Sequence, residues 1–123
     1  MIGYVTLGTN DFARAAAFYD DLLGEIGAKR MMQSDSFIAW SSHMGRPALS
    51  IIKPFDGNPA TVGNGVMVAL QVASADKVNA LHAKALSLGA TDEGAPGPRG
   101  DSFYAGYFRD LDGNKLNFYC LGN

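Results

Sequence analysis

Apolar and polar positions along this chain follow two different periods. From Tyr4 to Gly8 they alternate through good strand formers, which predicts a strand. After a polar break, Phe12, Ala15, Ala16, Tyr19, Leu22, Leu23 and Ile26 recur at helical spacing and form one apolar stripe. Asn10 or Asp11 is placed to cap the start of that helix, and Gly24 or Gly27 to end it. Met31-Met32 and Phe37 to Trp40 read as short strands, Ser41 to Pro47 as a turn, and Ala48 to Ile52 as a strand. Pro54 to Gly65, with its prolines and glycines, reads as a linker.

The same plan then returns. Val66 to Val72 predicts a strand. Ser74 predicts a helix N-cap, and Val78, Leu81, Ala85 and Leu88 supply the stripe. Gly94 to Gly100 reads as a loop around Pro96 and Pro98, Tyr104 to Arg109 as a strand, Asp110 to Gly113 as a turn, and Lys115 to Leu121 as the last strand. Tyr4-Val5-Thr6-Leu7 comes back as Met67-Val68-Ala69-Leu70, 63 residues later, and Gly27-Ala28 as Gly89-Ala90, 62 later. Trp40, Gly45 and Leu49 lie over Phe108, Gly113 and Asn117 at a spacing of 68. Such self-similarity is the signature of two copies of one supersecondary unit. The expected architecture is a single α+β domain over 1–123, made of repeats 1–56 and 63–123. Each repeat is a strand, a helix and about three strands, and together they form a cupped mixed sheet with the helices on its convex face.

Strand alternation also assigns faces. Val5, Leu7, Val68, Leu70, Val72, Leu116, Phe118 and Cys120 share an apolar parity expected under the helices. Tyr4, Thr6, Met67, Ala69, Gln71, Asn117 and Tyr119 share the other, which mixes polar, aromatic and small residues. A mixed face of that kind suits a small-molecule pocket with a few convergent polar groups. The alternative is a face covered by a partner subunit.

Composition narrows the function classes. A chain of 123 residues with 47% hydrophobic and 18% charged residues is an ordinary globular sequence. Its net charge of −2 carries no Lys/Arg cluster, which excludes a nucleic-acid footprint. Met1 to Tyr4 runs straight into a strand pattern, so no leader is expected, and no apolar run approaches a membrane span. The one cysteine, Cys120, permits no intrachain disulfide, and the expected compartment is cytoplasmic.

Candidate chemistry is sparse. His43 falls in a turn and His82 on the second helix, opposite Tyr19 of the first repeat, so both read as structural. Asp110 and Asp112 read as turn chemistry, because a calcium loop would need an acidic closing residue. Cys120, on the apolar parity without a patterned base, reads as a buried thiol. Trp40, Tyr104, Tyr107 and Tyr119 are candidates to wall a pocket for a planar ligand, or else core and dimer contacts. Arg99 and Arg109 are the cations expected to meet an anionic ligand, with solvated side chains as the alternative.

Tyr4 to Gly8 followed by Asp11 to Ala15 and Phe18-Tyr19, then Gly65 to Leu70, Gly106 to Asp110 and Asp112-Gly113-Asn114-Lys115, resemble the vicinal oxygen chelate superfamily. This is the group of glyoxalases, bleomycin-resistance proteins and extradiol dioxygenases. The resemblance implies paired βαβββ modules around a cup. It also implies that metal-dependent members draw His, Glu or Gln ligands from the first and last strands of each module. In this chain those positions hold Tyr4, Leu49 with Ser50 beside it, Met67 and Asn117. They offer no imidazole, thiolate or carboxylate, which hard and borderline divalent ions need. No metal and no other cofactor is therefore expected.

The leading expectation is a small, partly aromatic or apolar molecule bound in the cup. Tyr4, Gln71, Asn117 and Tyr119 would supply hydrogen bonds, and Trp40, Leu49 and Met67 apolar contact. Arg99, Tyr104 and Tyr107 complete the candidate set. No catalytic residue is assigned. The alternatives are a glyoxalase-like lyase or isomerase, or a dioxygenase-like enzyme, with a non-standard site; acid–base chemistry would then fall to Tyr4 or Tyr119. A third is a protein-interaction module. The resemblance further implies a homodimer, in which Tyr104 is the candidate to reach a neighbouring pocket.

Overall fold

A computed structural model describes residues 1–122. Its elements are β1 (Tyr4–Gly8), α1 (Phe12–Gly24), β2 (Lys29–Gln33), β3 (Phe37–Ser41), β4 (Ala48–Ile52), β5 (Val68–Gln71), α2 (Ala75–Ser87), β6 (Thr91–Pro98), β7 (Phe103–Arg109) and β8 (Lys115–Leu121). The fold is α+β, with two βαβββ repeats. The strands hydrogen-bond as two four-stranded sheets, ordered β1-β4-β3-β2 and β5-β8-β7-β6. In each sheet the first strand runs parallel to the last, and the other pairs are antiparallel. The chain divides into two compact units, Met1–Val62 and Gly63–Asn123.

Local chemistry explains the helix starts. Asp11 caps α1 by accepting from the Arg14 N–H at 3.1 Å, and Ser74 caps α2 by accepting from the Lys77 N–H at 3.2 Å. In the first unit α1 buries Ala15, Phe18, Tyr19, Leu22 and Leu23. The Tyr19 ring lies 5.7 Å from Trp40 of β3, so the face of this sheet that carries Trp40 is the one under the helix. The Trp40 indole N–H donates to Asp20 at 2.9 Å, and Arg30 holds the same carboxylate with two bonds of 2.9 and 2.7 Å. The Arg30 hydrogen bonds, with help from Trp40, hold the Asp20 carboxyl below its ordinary range.

In the second unit α2 buries Val78, Leu81, His82 and Ala85. His82 Nε2 sits 3.0 Å from the Tyr107 carbonyl and 3.1 Å from Asp92 Oδ1, a structural role joining α2 to β6 and β7. Gly106 lies directly opposite, and a Cβ there would stand 3.1 Å from the His82 ring and 3.0 Å from Pro96. Phe108, Leu116, Phe118 and Cys120 complete this core, each essentially unexposed.

Two segments differ from the sequence reading. Gly94 to Pro98 is not loop but the bulged end of β6, with register shifts between Asp92 and Gly94 and between Gly94 and Gly97. Prolines are tolerated there because β6 is an edge strand, where a missing N–H interrupts no central ladder. The linker, too, is partly anchored: Ala60 exchanges two hydrogen bonds with the Asn10 side chain, of 2.7 and 3.1 Å, so the chain as far as Val62 belongs to the first unit.

Candidate functional site

The face of the first sheet opposite α1 carries a cavity of about 530 Å³. Strand alternation builds its floor. Tyr4 and Thr6 of β1, Ala48 and Ile52 of β4, and Phe37 and Ala39 of β3 line it, while Val5, Leu49, Ile51, Ile38 and Trp40 have the opposite parity. The Tyr4 ring meets Phe37 edge-on at 6.1 Å, making an aromatic wall. β2 contributes two neighbours in sequence, Met31 and Met32, which simple alternation would send to opposite faces. A bulge reconciles them: Arg30 pairs with Trp40 and Met32 with Ala39, leaving Met31 as the extra residue.

Met44 and Arg46 close one end from the β3–β4 turn. The buried Ser41 hydroxyl holds this turn, lying 3.0 Å from the His43 carbonyl, 3.3 Å from that of Arg46 and 3.2 Å from that of Pro47. Gly45 supplies the left-handed backbone conformation the turn needs, with φ of 80°.

The corresponding face of the second sheet gathers Ala105, Tyr107, Asn117, Tyr119 and Gln71. Tyr119 stacks on Phe103 at 5.0 Å and donates to Gln71 at 3.4 Å. Two cations approach the Tyr107 ring, the Arg99 guanidinium at 5.4 Å and the Lys115 ammonium at 5.5 Å from its centroid. Arg99 also donates to the Ala95 carbonyl at 2.8 Å, which holds it against its own strand. Asn117 is fully buried on this face, and neither its amide nitrogen nor its oxygen has a hydrogen-bond partner.

The first repeat has a counterpart. Thr6 pairs with Ser50 in the first sheet as Ala69 pairs with Asn117 in the second. Ser50 is likewise fully buried, with an unpartnered hydroxyl. The sequence comparison set Leu49, not Ser50, against Asn117. The turn before β4 is one residue longer than the turn before β8, so the spacing between repeats changes inside the hairpin.

Several anticipated site residues therefore lie elsewhere. Trp40 and Leu49 are buried on the helix-bearing face, because β3 and β4 present that parity to α1. Tyr104 points to the helix side of the second sheet, where its hydroxyl donates to Asn79 of α2 at 2.7 Å. Met67 precedes β5 and is 39% exposed. Arg109 is engaged by Glu93 at 2.9 Å and by the Gly113 carbonyl at 3.0 Å. Tyr4 alone of the anticipated set lines the cavity. Met31, Met32, Phe37, Met44 and Arg46 were not anticipated. Phe37 arrives by the alternation of β3, but a bulge brings Met31 beside Met32 and a turn brings Met44 and Arg46, and neither leaves a periodic trace in sequence.

The superfamily's metal does not fit this chain. Tyr4, Ser50, Met67 and Asn117 offer a phenol, an alcohol, a thioether and a carboxamide, without an anionic or imidazole donor. Among the described residues no group of three or more His, Cys, Asp or Glu is placed to hold a metal ion. Asp110 is spent on its turn, accepting from the Asp112 and Asn114 N–H groups at 2.9 Å each. Cys120 is a free, buried thiol.

Duplicated βαβββ units with parallel first and last strands define a class of protein, and comparison with known proteins assigns the family. The profile of the Glyoxalase/Bleomycin resistance protein/Dioxygenase superfamily matches residues 1–118. The chain belongs to that superfamily. A glyoxalase/bleomycin resistance protein from Albidiferax ferrireducens T118 is 34% identical, with a TM-score of 0.89 over 98% of each chain. A glyoxalase/bleomycin resistance protein/dioxygenase family enzyme from Burkholderia phytofirmans PsJN shares the fold at 18% identity, with a TM-score of 0.78 over 97% of each chain. A lactoylglutathione lyase from Agrobacterium tumefaciens shares it at 19% identity, with a TM-score of 0.73 over 98% of this chain and 92% of its own. No curated protein matches the chain. Among the described residues no helix is long and apolar enough to cross a membrane.

Proposed function

We propose that this protein binds a small, largely apolar or aromatic molecule in the cavity on the first sheet, without a metal. The observation that carries this reading is the cavity's lining. Its volume of about 530 Å³ falls within the range of small-molecule sites. Tyr4 and Phe37 offer aromatic walls, and Met31, Met32 and Met44 offer thioether side chains that adapt to a ligand's shape. On this reading the protein acts in the cytoplasm as a single-domain homodimer that sequesters or carries its ligand.

N-phenyl-1-naphthylamine, a neutral fluorescent aromatic amine, tests it. Wild-type protein is expected to enhance and blue-shift the probe's emission saturably. Ala48→Trp, which fills the floor between Tyr4 and the rest of β4, is expected to abolish that binding while leaving the circular dichroism spectrum unchanged. Absence of binding to wild type, or equal binding to the folded variant, would overturn the reading.

A further inference from the structure

Arg46 stands apart from the other four arginines of the chain. Arg14, Arg30 and Arg109 each face a carboxylate, at 3.7, 2.7 and 2.9 Å. Arg99 is held by backbone carbonyls and by the Tyr107 ring. Among the arginines, all of them described residues, Arg46 alone shows neither an ion pair nor a side-chain hydrogen bond, yet it lines the apolar cavity. No acidic residue shares that lining, and the other polar side chains there are Tyr4 and Thr6. The turn itself is pinned by Ser41, so the guanidinium projects from an ordered base rather than a loose loop.

From this we infer that the ligand carries one anionic group, a carboxylate, sulfonate or phosphate, at the end of an apolar body, and that Arg46 is the residue that reads it. The inference rests on the proposed ligand-binding reading and adds the ligand's charge and its polarity along the cavity. The body lies on Phe37, Met31 and Met32, and the anion meets the β3–β4 turn. The planar guanidinium fork suits such groups because it offers two parallel N–H donors to two oxygens.

The test uses two probes with the same ring skeleton, neutral N-phenyl-1-naphthylamine and anionic 8-anilinonaphthalene-1-sulfonate. Wild-type protein is expected to bind the sulfonate about five- to tenfold more tightly, the range for a charge-assisted contact at a partly exposed site. Arg46→Gln is expected to bring the two affinities together by weakening the sulfonate alone, and Arg46→Lys to keep part of the preference. Raising the salt concentration is expected to narrow the wild-type ratio. If the neutral probe binds but the sulfonate gains nothing, or if R46Q keeps the ratio, the assignment of Arg46 fails and the apolar site stands. If neither probe binds wild type, or if Ala48→Trp leaves both affinities intact, the site itself fails.

Discussion

Ser50 and Asn117 occupy the same register position in the two repeats, and each keeps a fully buried polar group without a hydrogen-bond partner. An orphaned buried polar group costs about 1–3 kcal/mol, so folds rarely keep one without a use for it. That both repeats keep one, on the face opposite their helices, marks these positions as ones not tuned for stability alone. Ser50→Ala and Asn117→Leu are each expected to raise the melting temperature by about 3–5 °C in ligand-free protein. Differential scanning fluorimetry of the purified variants reads this directly; a lowered midpoint would show that the groups are satisfied in solution.

Asp20 is the second point of leverage. It accepts from Arg30 twice and from the buried Trp40 indole. Asp20→Ala is expected to cost about 1–2 kcal/mol, mostly by orphaning the indole N–H. Asp20→Asn, which still offers an oxygen to Trp40, is expected to cost less. Urea unfolding at neutral pH separates the two.

The same carboxylate makes stability depend on pH. The folded-state pKa of Asp20 lies below its ordinary value of 3.8, chiefly because of the Arg30 hydrogen bonds. The native state therefore binds fewer protons than the unfolded chain as acid is added. The contribution is complete above the unfolded pKa, near pH 4, and disappears as pH falls through the lower folded value. Because the side chain is 40% exposed, solvent screening keeps the effect small. Wild type is expected to lose slightly more stability than Asp20→Asn between pH 5 and about pH 2.5, measured by urea titration at each pH.

Gly106 is expected to tolerate no side chain. A Cβ would press on the His82 ring and on Pro96, both part of packed structure. Gly106→Ala is expected to destabilise by about 1–3 kcal/mol, the range for overpacking. Truncating the ring with His82→Ala in the same chain is expected to recover part of the loss. A double-mutant cycle in urea measures that coupling, and strict additivity would refute it.

Chelation is expected to change nothing. The donor set at the superfamily's metal positions holds no carboxylate, imidazole or thiolate, so dialysis against a strong chelator is expected to leave the melting temperature where it was. A drop of several degrees would require a site built from other residues. Light scattering is expected to return twice the 13.0 kDa chain mass, as the proposed homodimer requires.

Much of this was legible in the chain. The helical stripes of α1 and α2, the cap Ser74 and the narrowing of the first cap to Asn10 or Asp11, and the parity that buries Leu7, Leu116, Phe118 and Cys120 are local matters of period and side-chain chemistry. The doubled pattern revealed the two βαβββ repeats for the same reason. Three features were decided only in the folded molecule. Pro96 and Pro98 sit in a strand because β6 became an edge, and only strand order determines which strand that is. Met31 and Met32 reach one cavity because a bulge breaks the alternation from which faces are read. Trp40 went to the helix side because β3 presents that parity to α1, and Ser50 replaced Leu49 as the counterpart of Asn117 because one extra residue in the β3–β4 turn shifts the register between repeats. In a strand, a shift of one residue sends a side chain to the other face. Local patterning therefore determined the elements apart from β6, while pairing between distant strands decided which side chains meet at the site.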